Sequence, residues 1–187
     1  SIQAGVDAAI SGAIIKVAAG TYSQINNLGF GKQVIYITKP VSIIGGYDSQ
    51  FTDPPKPEQN ITIIDALSQG DVIFIKGYNN VRIEGFTITN GHTEPFETGG
   101  GIVIQNGSAI ITNNNIEKNH IAGIRATNSA ITVRDNNISG PIAPSSGSGL
   151  VAFYSNVIAT NNVFQNTDKA IYIAYSNANI IENHILS

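Results

Sequence analysis

The sequence predicts an all-β solenoid, a parallel β-helix with a short helix capping its N-terminus. Three observations predict it. A six-residue pattern recurs along the second half of the chain, apolar rows fall at period two within each repeat, and Ile, Gly, Asn and Ser dominate the composition. β-branched residues favour strands, while Asn and Gly favour turns that need a left-handed backbone.

The repeat reads I-x-N-N-x-I. It occurs as Ile83-Glu-Gly-Phe-Thr-Ile88, Ile111-Thr-Asn-Asn-Asn-Ile116 and Val133-Arg-Asp-Asn-Asn-Ile138, then as Ala159-Thr-Asn-Asn-Val-Phe164 and Ile180-Ile-Glu-Asn-His-Ile185. Its fourth position gives the row Phe86, Asn114, Asn136, Asn162 and Asn183, with steps of 28, 22, 26 and 21 residues. Two residues before each pattern stand Val81, Ala109, Ile131, Val157 and Ala178. Further upstream lie the pairs Ile102/Ile104, Ile124/Ala126, Leu150/Ala152 and Ile171/Ile173, with Ile73/Ile75 displaced by one residue in the first repeat. Period two is strand alternation, so each repeat is one coil whose inner face is buried only when coils stack. Ile83, Ile111, Val133, Ala159 and Ile180 are expected to form one inward column. The Asn row is expected to form a hydrogen-bonded ladder capped by Phe86.

Residues 1–12 are expected to form the capping helix, 13–69 irregular first coils and 70–187 five coils of about 22 residues, all in a single domain. The helical face is Ile2, Val6, Ala9 and Ile10, with Gly12 as the stop. Strands are expected near 14–17, 34–37, 41–44 and 61–64, and the run Pro54-Pro55-Lys56-Pro57 marks an excursion. The last coil ends in Ile180 and Ile185 with no capping unit after it. Head-to-tail self-association through that coil is therefore expected as one way to cover it. The start at Ser1, without Met or leader, reads as a mature or excised piece of a longer product.

Three segments carry a family resemblance: Ile2-Gln-Ala-Gly-Val-Asp-Ala-Ala-Ile10, Ile15-Lys-Val-Ala-Ala-Gly-Thr-Tyr22 and Lys39-Pro-Val-Ser-Ile-Ile-Gly-Gly46. They resemble the start of right-handed parallel β-helix proteins of the pectin-lyase-like superfamily. The continuation through Gly45-Gly-Tyr-Asp-Ser-Gln-Phe51 and Ile61-Thr-Ile-Ile-Asp65 is similar to a bacterial cell-surface branch of it. The resemblance implies export and an extracellular or cell-surface location. It does not imply one activity, since that superfamily includes lyases, hydrolases, esterases and adhesins.

The polysaccharide lyases of this fold cluster acidic residues for calcium. Here Asp48, Asp53, Asp65, Asp71, Asp135 and Asp168 do not fall in one row. No adjacent Asp pair, Gly-His-Gly or esterase Asp–Arg constellation is present, so no catalytic residue carries over and no cofactor or metal is expected. The weak catalytic candidates are His92, Glu94, Glu97 and His120. They sit in or between two insertions just downstream of the Asn row, where the first expectation is a solvated polar loop and the alternative is acid, base or metal-ligand roles. The binding candidates are Arg125, Phe153, Tyr154, Tyr172 and Tyr175, on or beside an outward row Phe74, Val103, Arg125, Val151 and Tyr172. Tyr78 is read as equivalent to Tyr154 and Tyr175. Exposed rings of this kind stack on sugars, seal a protein interface or shield a turn.

Charge narrows the classes further. Charged residues make up 12% of the 187 residues and the net charge is −3, without the basic footprint of a nucleic-acid binder or an anionic-membrane anchor. Cysteine is absent, which removes disulfides and thiolate chemistry. No apolar run reaches a membrane span. The leading expectation is a non-catalytic, exported module that binds a glycan or protein surface. The alternatives are a structural subunit stacking end to end into a filament, and a carbohydrate-active lyase or hydrolase.

Overall fold

The computed structural model describes residues 1–29, 31–77, 80–92, 100–140 and 147–186. The described residues wind through three sheets of seven strands each. The first sheet holds β1 (Ile14–Ala18), β5 (Ser42–Tyr47), β8 (Asn80–Glu84), β11 (Ser108–Thr112), β14 (Ala130–Arg134), β17 (Asn156–Thr160) and β20 (Asn177–Ile181). The second holds the shorter β2 (Gly20–Tyr22), β6 (Thr62–Asp65), β9 (Thr87–Thr89), β12 (Asn115–Glu117), β15 (Asn137–Ser139), β18 (Val163–Gln165) and β21 (His184–Leu186). The third holds β3 (Asn26–Leu28), β4 (Gly31–Ile37), β7 (Asp71–Lys76), β10 (Gly100–Gln105), β13 (Ala122–Thr127), β16 (Ser148–Phe153) and β19 (Ile171–Ala174). Among the described residues pairing is parallel except between β3 and β4, which meet antiparallel at one edge. Strands at 20–22 and 26–28 are additional to those the sequence predicts.

Alternation builds the core. Ile43, Ile83, Ile111, Val133 and Ala159 stand in register and are fully buried. Ile180 continues the column but is 42% exposed, because no described coil stacks beyond it. A second column runs Ile64, Ile88, Ile116, Ile138 and Phe164 to the exposed Ile185.

The helix α1 (Ile2–Ala8) packs beside β1 and β4, with Ile2 and Val6 in the core. Ser1 caps it by accepting the Ala4 N–H. It ends earlier than the sequence suggests. Ala9 is already extended, which turns Ile10 away from the apolar face and leaves it 80% exposed.

The Asn ladder sits at the corner between the first and second sheets. Each rung's Oδ1 accepts the backbone N–H and the Nδ2 of the rung before it, through Asn114, Asn136, Asn162 and Asn183 at 2.9–3.1 Å. The Phe86 N–H donates to Asn114 Oδ1, so Phe86 closes the row on its N-terminal side. Its ring lies against Gly45, where a Cβ would stand 2.9 Å from it, so only glycine leaves room.

The scattered acids hold loops. Asp53 accepts from Lys16 and from the Tyr47 hydroxyl, which lowers its pKa. Asp48 accepts backbone N–H groups of Gln50 and Thr52, and the bonds from Thr52 lead in lowering its own pKa. Asp65 accepts from the Asn90 amide, and Asp135 from the Asn161 amide.

Candidate functional site

The outward row of the third sheet is in register as Phe74, Val103, Arg125, Val151 and Tyr172, with Tyr36 before it. At its N-terminal end Phe74 and Val103 are buried, so they do not belong to an accessible surface. The last coils differ. Tyr172 is 41% exposed and meets Phe153 edge-on at 5.7 Å between ring centroids. The Lys169 ammonium lies 5.3 Å from the Tyr172 ring and the Arg125 guanidinium 6.0 Å from the Phe153 ring. Both distances suit cation–π attraction.

Beside this cluster, in the turn between the third and first sheets, Tyr154 and Tyr175 stack face to face at 5.1 Å and 9°. Both have positive φ, 51° and 53°, at the turn position that Asn106 and Asn128 fill in the preceding coils. A bulky side chain there is disfavoured by about 1–2 kcal/mol relative to the ordinary helical or strand regions, whereas Asn tolerates it. The Tyr78 candidate lies outside the described residues. The register gives its expected turn position to Gly77, since Lys76 pairs with Gln105 and Asn106 follows. Together, the structure brings Arg125, Phe153 and Tyr172 into one cluster. Tyr154 and Tyr175 adjoin it through the Phe153–Tyr154 peptide.

The two described catalytic candidates, His92 and His120, lie in the turns from the second sheet to the third. His92 and His120 come from successive coils and meet edge-on, 4.2 Å between ring centroids. The His92 N–H donates to Gly70 and the His120 N–H to Gly91, which sets them one above the other. Glu94 and Glu97 lie outside the described residues. Among the described residues no group of three or more His, Asp or Glu side chains is placed to hold a metal.

Three features went unread in the sequence. The first is Asp71, 6% exposed, whose Oδ1 accepts the Gly100 N–H. Burial pushes its carboxyl up to about 7, against the Gly100 hydrogen bond and the Arg125 charge, which pull it down. Asp71 thus couples electrostatically to a residue of the aromatic cluster. The second is a ladder formed by Ser129, Ser155 and Ser176, each accepting the N–H of the rung before it. It was legible, because these serines recur with the steps of the Asn row. The third is an open groove of about 650 Å³ along the outer face of the first sheet, crossing Arg82, Ile110, Thr132, Ile158 and Asn179.

Stacked coils, seven-stranded sheets and an internal Asn ladder describe a β-helix, and a family model for the right-handed β-helix region matches residues 48–186. The chain belongs to the right-handed β-helix family. No curated protein and no solved structure gives a significant match to it.

Proposed function

We propose that this β-helix is an exported, cell-surface module that binds a glycan on the aromatic face of its last coils and performs no chemistry on it. The observation that carries this reading is the stacked Tyr154–Tyr175 pair, both rings strongly exposed, at 60% and 79%, and both held at positive φ. A backbone position that disfavours Tyr, filled by Tyr in two successive coils, points to a use for the rings. Flat exposed rings stack on the C–H faces of sugars. The Phe153–Tyr172 pair extends that surface, with Arg125 and Lys169 supplying donors beside it.

The test is titration of the chain with soluble polysaccharides, neutral and acidic, alongside the Tyr172→Ala/Tyr175→Ala double variant. Saturable binding by the wild type that weakens at least about tenfold in the variant supports the reading. No binding across the panel, or equal binding by the variant, overturns it. Cleavage of any polymer, lost in His120→Ala, replaces it with the enzymatic reading. Location is tested by protease accessibility on intact cells, where protection of the chain contradicts surface display.

A second reading is end-to-end association through the last described coil, favoured by the exposure of Ile180, Ile185 and Leu186. Sedimentation that shifts with concentration, and is abolished by Ile185→Lys, supports it. A single concentration-independent species sinks it.

A further inference from the structure

We propose that the Asn106–Gly107 bond is a latent deamidation site, held closed by the Ser129 hydroxyl of the next coil. The chain contains two Asn-Gly pairs, Asn90–Gly91 and Asn106–Gly107. Such pairs are the most reactive of their kind, because glycine places no side chain in the path of its own nitrogen. That nitrogen attacks Cγ of the Asn side chain, a C–N bond forms, and the amide leaves as ammonia with the transferred proton. The resulting succinimide takes up one water and opens at either carbonyl to aspartate or isoaspartate.

The attack needs a glycine N–H free of other bonds and a backbone able to leave its turn. Both glycines are restrained. The Gly91 N–H donates to Asn119 Oδ1 at 2.8 Å and the Gly107 N–H to Ser129 Oγ at 3.3 Å, both buried. Both asparagines are in the left-handed region, at φ 59° and 51°. Gly107 is also fixed in identity, since a Cβ there would stand 2.4 Å from the Gly77 carbonyl oxygen.

The two sites are not equally held. The Asn90 side chain is tethered to Asp65 at 2.8 Å, and its glycine bond is the shorter. Asn106 is exposed, no hydrogen bond tethers its amide among the described residues, and its glycine bond is the longer. Asn106 is therefore the site that converts when the turn opens locally. Isoaspartate there would lengthen the main chain inside a turn whose N–H pairs with Thr127 of the next coil. It would break the stack at a defined level.

The test is peptide mass mapping of the whole chain held in mildly alkaline buffer, with the urea-unfolded wild type as reference for the unrestrained rate. Folded wild type is expected to convert at both sites more slowly than the unfolded chain. Ser129→Ala is expected to raise conversion at Asn106 about tenfold, the factor matching a hydrogen bond of about 1.4 kcal/mol, and to leave Asn90 unchanged. Ser155→Ala removes the next rung of the same ladder without touching Gly107, and is expected to leave Asn106 at its wild-type rate. The proposal is overturned by Asn106 converting as fast folded as unfolded, by Asn106 unmoved in Ser129→Ala, or by Asn106 accelerated equally by Ser155→Ala. A parallel rise at Asn90 in Ser129→Ala assigns the effect to lost folding and overturns it as well.

Discussion

Asn136 is joined to Asn162 twice, its backbone N–H and its Nδ2 both donating to the same Oδ1 at 3.0 Å. The Asn136 Nδ2 also donates to the carbonyls of Ile111 and Arg134. One side chain thus ties three coils together at a corner where the strand ladders are interrupted. Backbone groups buried at such a corner have no water to fall back on, which is why a polar residue occupies an otherwise apolar interior.

Replacing Asn136 with Ala is expected to destabilise the chain by roughly 3 kcal/mol. It strands the buried Asn114 N–H and takes a donor from the carbonyls of Ile111 and Arg134, of which Arg134 keeps the Asn113 N–H. Chemical denaturation at equilibrium measures this. Asn183→Ala, at the exposed end of the ladder, is expected to lose less than half as much. Equal losses would mean that the rungs are not coupled through burial.

The core column makes a graded prediction. Ile111→Ala opens a cavity with coils on both sides and is expected to lose about 2–5 kcal/mol. Ile180→Ala, in the same column but partly exposed, is expected to lose under about 1 kcal/mol in the dilute chain. Ile111→Asp places a charge with no partner in the core and is expected to prevent folding. A large loss at Ile180 would mean that something covers the last coil in solution.

The column and the ladder were legible because stacking turns one spatial row into one sequence period. Ile83, Ile111 and Val133 can be aligned by eye, and so can Asn114, Asn136 and Asn162. Partners brought together by the solenoid without a repeat were not legible. Asp71 looks like any other acid in the chain, and nothing in its neighbours announces that Gly100 and Arg125 will sit beside it. The left-handed backbone of Tyr154 and Tyr175 was hidden for the opposite reason. Their alignment was plain, but the row they join runs through Gly77, Asn106 and Asn128, a turn signature that the aromatic residues mask. Ile10 misled because helical periodicity continued past the point where the backbone had already become extended.

Asp71 gives the chain a pH dependence of defined sign. Its carboxyl is raised from the ordinary 3.8 to about 7 on folding, so between those values the folded state binds more protons than the unfolded one. Stability attributable to this group is then fully present below about pH 4 and is lost as pH rises towards 7, by up to about 4 kcal/mol. Asp71→Asn keeps an oxygen to accept the Gly100 N–H and removes the titration. Its stability above pH 7 is expected to exceed that of the wild type, and its profile between pH 4 and 7 to be flatter. Arg125→Ala, which removes the opposing charge, is expected to steepen the wild-type loss. Denaturation midpoints across pH provide the measurement, and identical profiles for Asp71→Asn and wild type would show that Asp71 is not a buried acid in solution.

The tyrosine pair allows binding and stability to be separated. Asn is the residue that Tyr154 and Tyr175 replace in the turn row, and it accepts positive φ at little cost. Changing both to Asn loses a ring stack of about 0.5–1.5 kcal/mol and relieves two disfavoured backbones of about 1–2 kcal/mol each. The double variant is therefore expected to melt at or above the wild-type temperature. If the rings serve only to shield the turn, removing them should instead lower the melting temperature, and glycan titration should be unaffected. If they serve a ligand, the variant is expected to be at least as stable as the wild type yet to bind at least about tenfold more weakly. Thermal melting and titration on the same samples distinguish the two. A variant that is both less stable and unchanged in binding would remove the tyrosine pair from the glycan reading altogether.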